Sequence, residues 1–258
     1  MAADPTIALM YHALGEGTAA NADPHYTIGR DRFAAHLALC AREGGAVVSA
    51  RDWLAGRAGV IATFDDGDVS NHRVAFPMLA AAGATADFFV NPAQVGTPGY
   101  ATWAELREMS DAGLSIQSHG LDHREFLTAL SPARLREDLR RARLEIEDRV
   151  GRPVTLLAPA GGREPADLAD AAREAGYTHV MNSRPARVRR GDGPTLGRLA
   201  VTARLDDETL SSWLRGGPAL RKAQVRYAVL QLAKRALGDD VYRAVRRRLL
   251  GDASAGEM

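Results

Sequence analysis

The 258-residue chain has one cysteine, two lysines, no surplus of charge of either sign and no apolar run that would span a bilayer. With Cys40 alone, neither an internal disulfide nor a cysteine-based zinc site can form. Cys40 shares a helical face with Phe33, Leu37 and Ala41, so it reads as core packing rather than as a nucleophile. A spanning helix needs roughly 18–20 apolar residues, and no such stretch exists. The opening "MAADPTIALMYH" lacks a basic start and a long apolar segment, so no secretory signal is read and a cytoplasmic location is expected. Thirty-three basic residues face 32 acidic ones, a net charge of +1, which gives no case for whole-molecule attraction to nucleic acid or membrane. The bases are arginines apart from Lys222 and Lys234, a compositional bias and not a functional signal. No Gly-rich phosphate loop follows any apolar run, which weighs against dinucleotide binding.

What is present is an ordinary globular composition, 46% hydrophobic and 25% charged, long enough for one large domain or a domain with an appendage. Short apolar runs at 6–12, 46–49, 59–64, 85–90, 114–119, 154–159, 178–183 and 198–202 read as strands buried on both faces. Helical segments fall between them. Thr102 and Glu105 form a capping box ahead of a helix that stops at Gly113. Ser131 and Pro132 start another, with the stripe Leu135, Leu139, Ala142, Ile146, Val150 and a stop at Gly151. The alternation predicts an α/β fold with parallel strands and crossover helices. Seven or eight units in about 215 residues fit a closed barrel better than an open sheet. The barrel is expected over 1–217, followed by a basic helical extension over 218–258 packed against it.

Five ionisable side chains stand where apolar runs end: His12, Asp65, Asp66, His119 and His123. In a parallel barrel the loops at the strands' C-terminal ends carry chemistry. An unpaired buried carboxylate is costly, and two adjacent ones are worse. A divalent metal relieves both, because it offsets carboxylate charge and accepts imidazole nitrogen. "SHGLDH" sets His119 and His123 four apart, and a turn there aims both rings at one point. Two histidines and one carboxylate leave coordination positions open, the pattern of a catalytic rather than a structural site. Such a metal brings a water's pKa near neutrality, and a carboxylate that is not a ligand then serves as base. The Asp65–Asp66 pair therefore divides into one base and one ligand. Singly, each feature has a plain explanation: a solvated loop for the two histidines, a turn for Asp-Asp-Gly, a hydrogen-bonded structural role for His12. His25, His36, His72 and His179 are read as surface or core residues. The reading rests on the combination at matching strand ends.

These residues, in this order, resemble the polysaccharide deacetylase (NodB-like) family of carbohydrate esterases. "TFDDG" at 63–67 is similar to its first motif, and "SHGLDH" at 118–123 to its second. The resemblance covers about residues 6–203. It implies a distorted (β/α)7-type barrel, Asp65 as general base, and Asp66, His119 and His123 as metal ligands. Three departures stand out. The third motif, "LAPAGG" at 157–162, keeps Pro159 but has Ala158 and Ala160 where the family has an arginine and an aromatic. The Ala160 backbone N–H remains able to bind an oxyanion. The family's late leucine-x-histidine motif is absent. In the branch resembling poly-N-acetylglucosamine deacetylases that histidine strand is permuted to the N-terminus, and His12 in "LMYHAL" fits the place of the general acid. Arg198 in "LGRLAV" is a candidate to orient the base in place of the missing arginine, a surface salt bridge being the alternative.

The resemblance implies N-deacetylation of an N-acetylated sugar with a divalent metal, zinc first and nickel or cobalt as alternatives. Two rivals stay open: a hydrolase of another amide or ester, and a barrel that binds sugar or scaffolds without catalysis. "PARVRRGDGP" at 185–194 is expected as an exposed loop near the active rim. In the tail, Val225, Val229, Leu232 and Ala236 fall near one helical face among arginines. Packing on the barrel is expected there, with peripheral contact to a membrane surface as the alternative.

Overall fold

The structure is a computed structural model that describes residues 5–15, 22–123, 126–230 and 232. Among them are ten strands: β1 (Thr6–Tyr11), β2 (Val47–Val48), β3 (Val60–Phe64), β4 (Asp87–Val90), β5 (Ser115–Ser118), β6 (Leu156–Leu157), β7 (His179–Asn182), β8 (Arg187–Val188), β9 (Thr195–Gly197) and β10 (Leu199–Ala200). Seven α-helices accompany them: α1 (Arg30–Glu43), α2 (Ala50–Leu54), α3 (Phe76–Ala81), α4 (Trp103–Asp111), α5 (Pro132–Val150), α6 (Leu168–Glu174) and α7 (Asp207–Leu214). The main path runs β10-β1-β3-β4-β5-β6-β7-β9, parallel at every step. β9 and β10 are separated by Arg198 alone. One extended segment thus pairs with β7 through its first half and with β1 through its second, and closes a distorted (β/α)7-type barrel.

The apolar runs became strands because both their faces are covered. Ile7, Leu9 and Tyr11 of β1, Val60, Ala62 and Phe64 of β3, and Phe88 and Val90 of β4 belong to the larger core cluster, which also takes the helix stripes. The intervening Ala8, Ile61 and Phe89 join Leu156, Ala158 and Leu196 in a second, smaller cluster inside the barrel. Side chains alternate between these two environments with period two. Helix ends follow the signals in the sequence. Thr102 Oγ1 accepts from Glu105 N–H at 3.3 Å while Glu105 Oε2 accepts from Thr102 N–H at 2.7 Å, and Gly151 ends α5 at φ 68°. The stripe from Leu135 to Val150 is buried as expected.

Two expectations are corrected. The run at 198–202 is a strand only over Leu199–Ala200, which pairs with β1, and a further short strand that pairs with β7 precedes it across Arg198. The segment 185–194 does not lie near the active rim. Its β8 pairs antiparallel with the first residues of β1, Thr6 with Val188 and Ile7 with Arg187, and so it sits at the N-terminal rim. Beyond α7 the chain is helical over 218–230. Leu220 is buried there, and Ala219 and Ala223 pack on the core, while Val225, Val229 and Leu232 are exposed. Ala236 and most of the expected extension fall outside the described residues.

Candidate active site and metal centre

The inward parity of the strands assembles the site. Ala8 on β1 leads by twos to His12; Ile61 on β3 leads to Thr63 and Asp65; Ser115 on β5 leads to Gln117 and His119; Leu156 on β6 leads to Ala158 and Ala160; Leu196 on β9 leads to Arg198. All five therefore fall on the lumen side at or beside a strand's C-terminal end. Asp66 escapes this alternation through its backbone. Its φ of 72° is the only positive value on a described non-glycine residue, a left-handed turn that aspartate tolerates better than most residues. The turn lets two successive carboxylates serve different partners.

Asp66 Oδ1 lies 3.3 Å from His119 Nε2 and 3.5 Å from His123 Nε2. One ligand atom from each residue fits within 4.8 Å of the others. His119 is buried and the other two are half-buried, so the cluster opens on one side. Burial pushes the Asp66 carboxyl up, but the His119 hydrogen bond and the neighbouring His12, His119 and His123 outweigh it and hold the group well below the usual range. Two imidazole nitrogens and one oxygen suit a divalent first-row ion with open positions. The loop carrying them is braced: Asn91, at the end of β4, donates to the His119 carbonyl at 2.7 Å, and Asp138 on α5 accepts from Leu121 N–H at 3.2 Å.

Asp65 has a different partner. Arg198 donates to both its oxygens, at 2.6 and 2.8 Å, and also to Thr63 Oγ1 at 3.1 Å. Its Nε reaches the Asn182 carbonyl at 3.4 Å, and its guanidinium carbon lies 5.3 Å from the Phe89 ring centre. Both members of the pair are almost fully buried. Burial pushes the Asp65 carboxyl up; Arg198 first, then His119 and His12, overcome it and hold the carboxyl below its ordinary range. Asp65 is thus kept ionised, with both oxygens engaged by Arg198. Arg198 is not at the surface.

The His12 ring lies against Tyr26 with ring centres 4.6 Å apart and planes tilted by 32°, and its carbonyl accepts from Asn71 Nδ2 at 2.8 Å. Its electrostatic effect on both aspartates places it beside the cluster. Ala160 opens the short turn after Pro159, and its N–H makes no hydrogen bond to the described residues. Phe126, from the loop after β5, packs against the next residue so tightly that a Cβ on Gly161 would lie 2.6 Å from its ring. The same ring stands 6.0 Å from His123. An aromatic thus borders the third motif in space although none occurs in it. Tyr26, Asn91 and Phe126 were missed in the sequence; only Asn91, a polar residue directly after an apolar run, carries the signal that marked the others.

Residues 55–180 match the family model for polysaccharide deacetylases. That stretch carries a polysaccharide deacetylase domain. The Bacillus subtilis (strain 168) protein YxkH, assigned by its name to the same family, is 24% identical over 216 residues, 80% of this chain and 75% of YxkH. The deacetylase domain superposes on Streptococcus pyogenes deacetylase PplD, solved with acetate, at a TM-score of 0.73 and 21% identity, covering 82% of this chain and 98% of PplD. IcaB from Ammonifex degensii gives a TM-score of 0.67 at 27% identity, over 86% and 98% of the two chains.

Proposed function

We propose that the chain is a metal-dependent hydrolase that removes the N-acetyl group from an amino sugar in a saccharide or a carrier-linked polysaccharide precursor. The observation that carries this reading is the Asp66–His119–His123 cluster standing beside a buried, Arg198-held Asp65. The ion expected on that donor set is zinc, with nickel or cobalt as alternatives. When bound, it supplies Lewis acidity to the acetyl oxygen and acidifies a water. Asp65 takes the proton of the attacking water, and Arg198 fixes the carboxylate for that transfer. The Ala160 N–H donates to the acetyl oxygen as the carbonyl becomes tetrahedral. His12, oriented by Tyr26, gives a proton to the departing nitrogen. The C–N bond breaks and leaves acetate and a free amine.

The test is metal content together with acetate release from N-acetylglucosamine oligomers, with Asp65→Asn and His12→Ala beside the unaltered protein. Bound metal, and a loss on the order of 10²–10⁴ in each variant, is the expected result. Release that survives in His12→Ala removes His12 from the proton transfer. No metal uptake, even with zinc supplied, overturns the enzyme reading and leaves a barrel that binds sugar.

A further inference from the structure

The rim opposite the catalytic loops carries a second collection of unusual features. A cavity of about 390 Å³ there is lined by Pro5, Arg187, Arg189, Asp192, Arg221 and Gln224, among others. Arg187 comes from β8, Arg189 from the turn after it, and Arg221 from the helix beyond α7. Arg187 donates to the Pro5 carbonyl. The guanidinium groups of Arg189 and Arg221 have no ion-pair partner among the described residues, and both side chains are exposed. Asp192 is the only acid in the lining, and its carboxylate accepts from Arg189 N–H at 2.7 Å. The cavity is therefore a cationic pocket with an open mouth.

The helix that contributes Arg221 shows two faces. Leu220 and Ala223 turn to the core. Val225, Val229 and Leu232, spaced four and three apart on the other side, are exposed at 63%, 52% and 65%. At about 100° per residue these three form one stripe, and Arg221, Lys222 and Arg226 flank it. Exposed aliphatic side chains bordered by cations are the pattern of a helix lying in a lipid interface. Nucleic acid would answer the arginines but not the stripe. The cationic amine product of the proposed reaction is repelled by the same charges. The sequence past the described helix continues basic, with Arg246, Arg247 and Arg248 in succession.

We propose that this rim docks on an anionic phospholipid membrane, with lipid phosphate in the arginine pocket and Val225, Val229 and Leu232 in the headgroup–acyl boundary. Pro5 and Arg187 sit at the N-terminal end of β1, and His12 follows its C-terminal end. A docked molecule thus holds its catalytic mouth away from the bilayer, toward a polymer extending from the surface.

The full-length protein should sediment with phosphatidylcholine vesicles that contain phosphatidylglycerol and remain in solution with phosphatidylcholine alone. A basic side chain near an anionic surface strengthens binding about fivefold. The Arg189→Glu/Arg221→Glu protein should therefore bind at least about 25-fold more weakly, and Val225→Ser/Val229→Ser should also weaken it. These side chains are exposed and far from Asp65, so melting temperature and acetate release from soluble oligomers should hold in both variants. That separates failure of docking from failure of the proposed hydrolysis. Three results overturn the proposal: no vesicle binding, with inorganic phosphate alone occupying the pocket; equal binding to both vesicle types; or vesicle binding that the arginine reversals leave unchanged.

Discussion

Replacing Arg198 with methionine tests the site's electrostatics most directly. The substitution keeps the bulk of the side chain and removes four donated hydrogen bonds, two of them to Asp65. It strands a carboxylate that is only 3% exposed. Breaking one side of a buried ion pair costs about 3–5 kcal/mol, and a chain of this length loses roughly 2–4 °C per kcal/mol. Thermal melting followed by circular dichroism should therefore fall by about 6–20 °C. The direction of the pH effect follows from the same pair. With Arg198 present, the Asp65 carboxyl is held low, so its stabilising contribution exists above the unfolded pKa and is lost as pH falls through the native one. Without Arg198, burial dominates and the carboxyl rises. The acid limb of kcat/KM should then move to higher pH. The double variant Asp65→Asn/Arg198→Met removes charge and partner together and should melt well above the single one. A single variant within about 2 °C of the unaltered protein, or a double variant no more stable than the single, would refute the reasoning.

Three further outcomes are expected. His119→Gln should abolish metal retention after gel filtration, while Asp65→Asn should keep it; equal retention in both would remove His119 from the ligand set. Asp87 is buried at the start of β4, accepting from Ala50 and Arg51 N–H, and burial pushes it up to about 6. Its native form binds a proton more tightly than the unfolded chain, so its contribution is full below about pH 4 and lost as pH rises through about 6. Urea midpoints of Asp87→Asn, compared with the unaltered protein, should show that part of the slope missing. Gly161→Ala places a Cβ against Phe126 at a φ of 61°, which costs about 1–2 kcal/mol in backbone strain alone. A lower melting temperature and a higher KM with metal retained are the expected pair, and an unchanged KM would show that the Phe126 wall does not touch substrate.

Much of the barrel is legible in the sequence because its strands are covered twice. An unbroken apolar run such as "VIATF" has no other place to go, and a polar residue directly after it is conspicuous. That signal marks His12, Asp65 and His119. Short pairings leave no such trace. β8 engages β1 through two residues, too few for a period, so 185–194 looks like a surface loop and its rim is misread. Arg198 is ambiguous in sequence because a guanidinium in "GRLAV" fits a surface ion pair as well as a buried one; only the crossing of β7, β1 and β3 brings Asp65 to it. Phe126 escapes motif reading altogether, since it reaches the third motif from another loop. The tail shows the reverse failure. Its stripe is plain in the sequence, but the core-facing side of that helix is made by Leu220 and Ala223, which leaves Val225, Val229 and Leu232 outside.

The segment that closes the barrel also holds Asp65, the proposed base. Asp65 and Arg198 are 133 residues apart in the chain. A chain that ends ahead of residue 195 has the three proposed ligands and Asp65 in its sequence but lacks both the strands that close the ring and the arginine that pairs with Asp65. Ring closure and the pairing of Asp65 thus depend on one short segment, and on the proposed mechanism a chain lacking it should release no acetate.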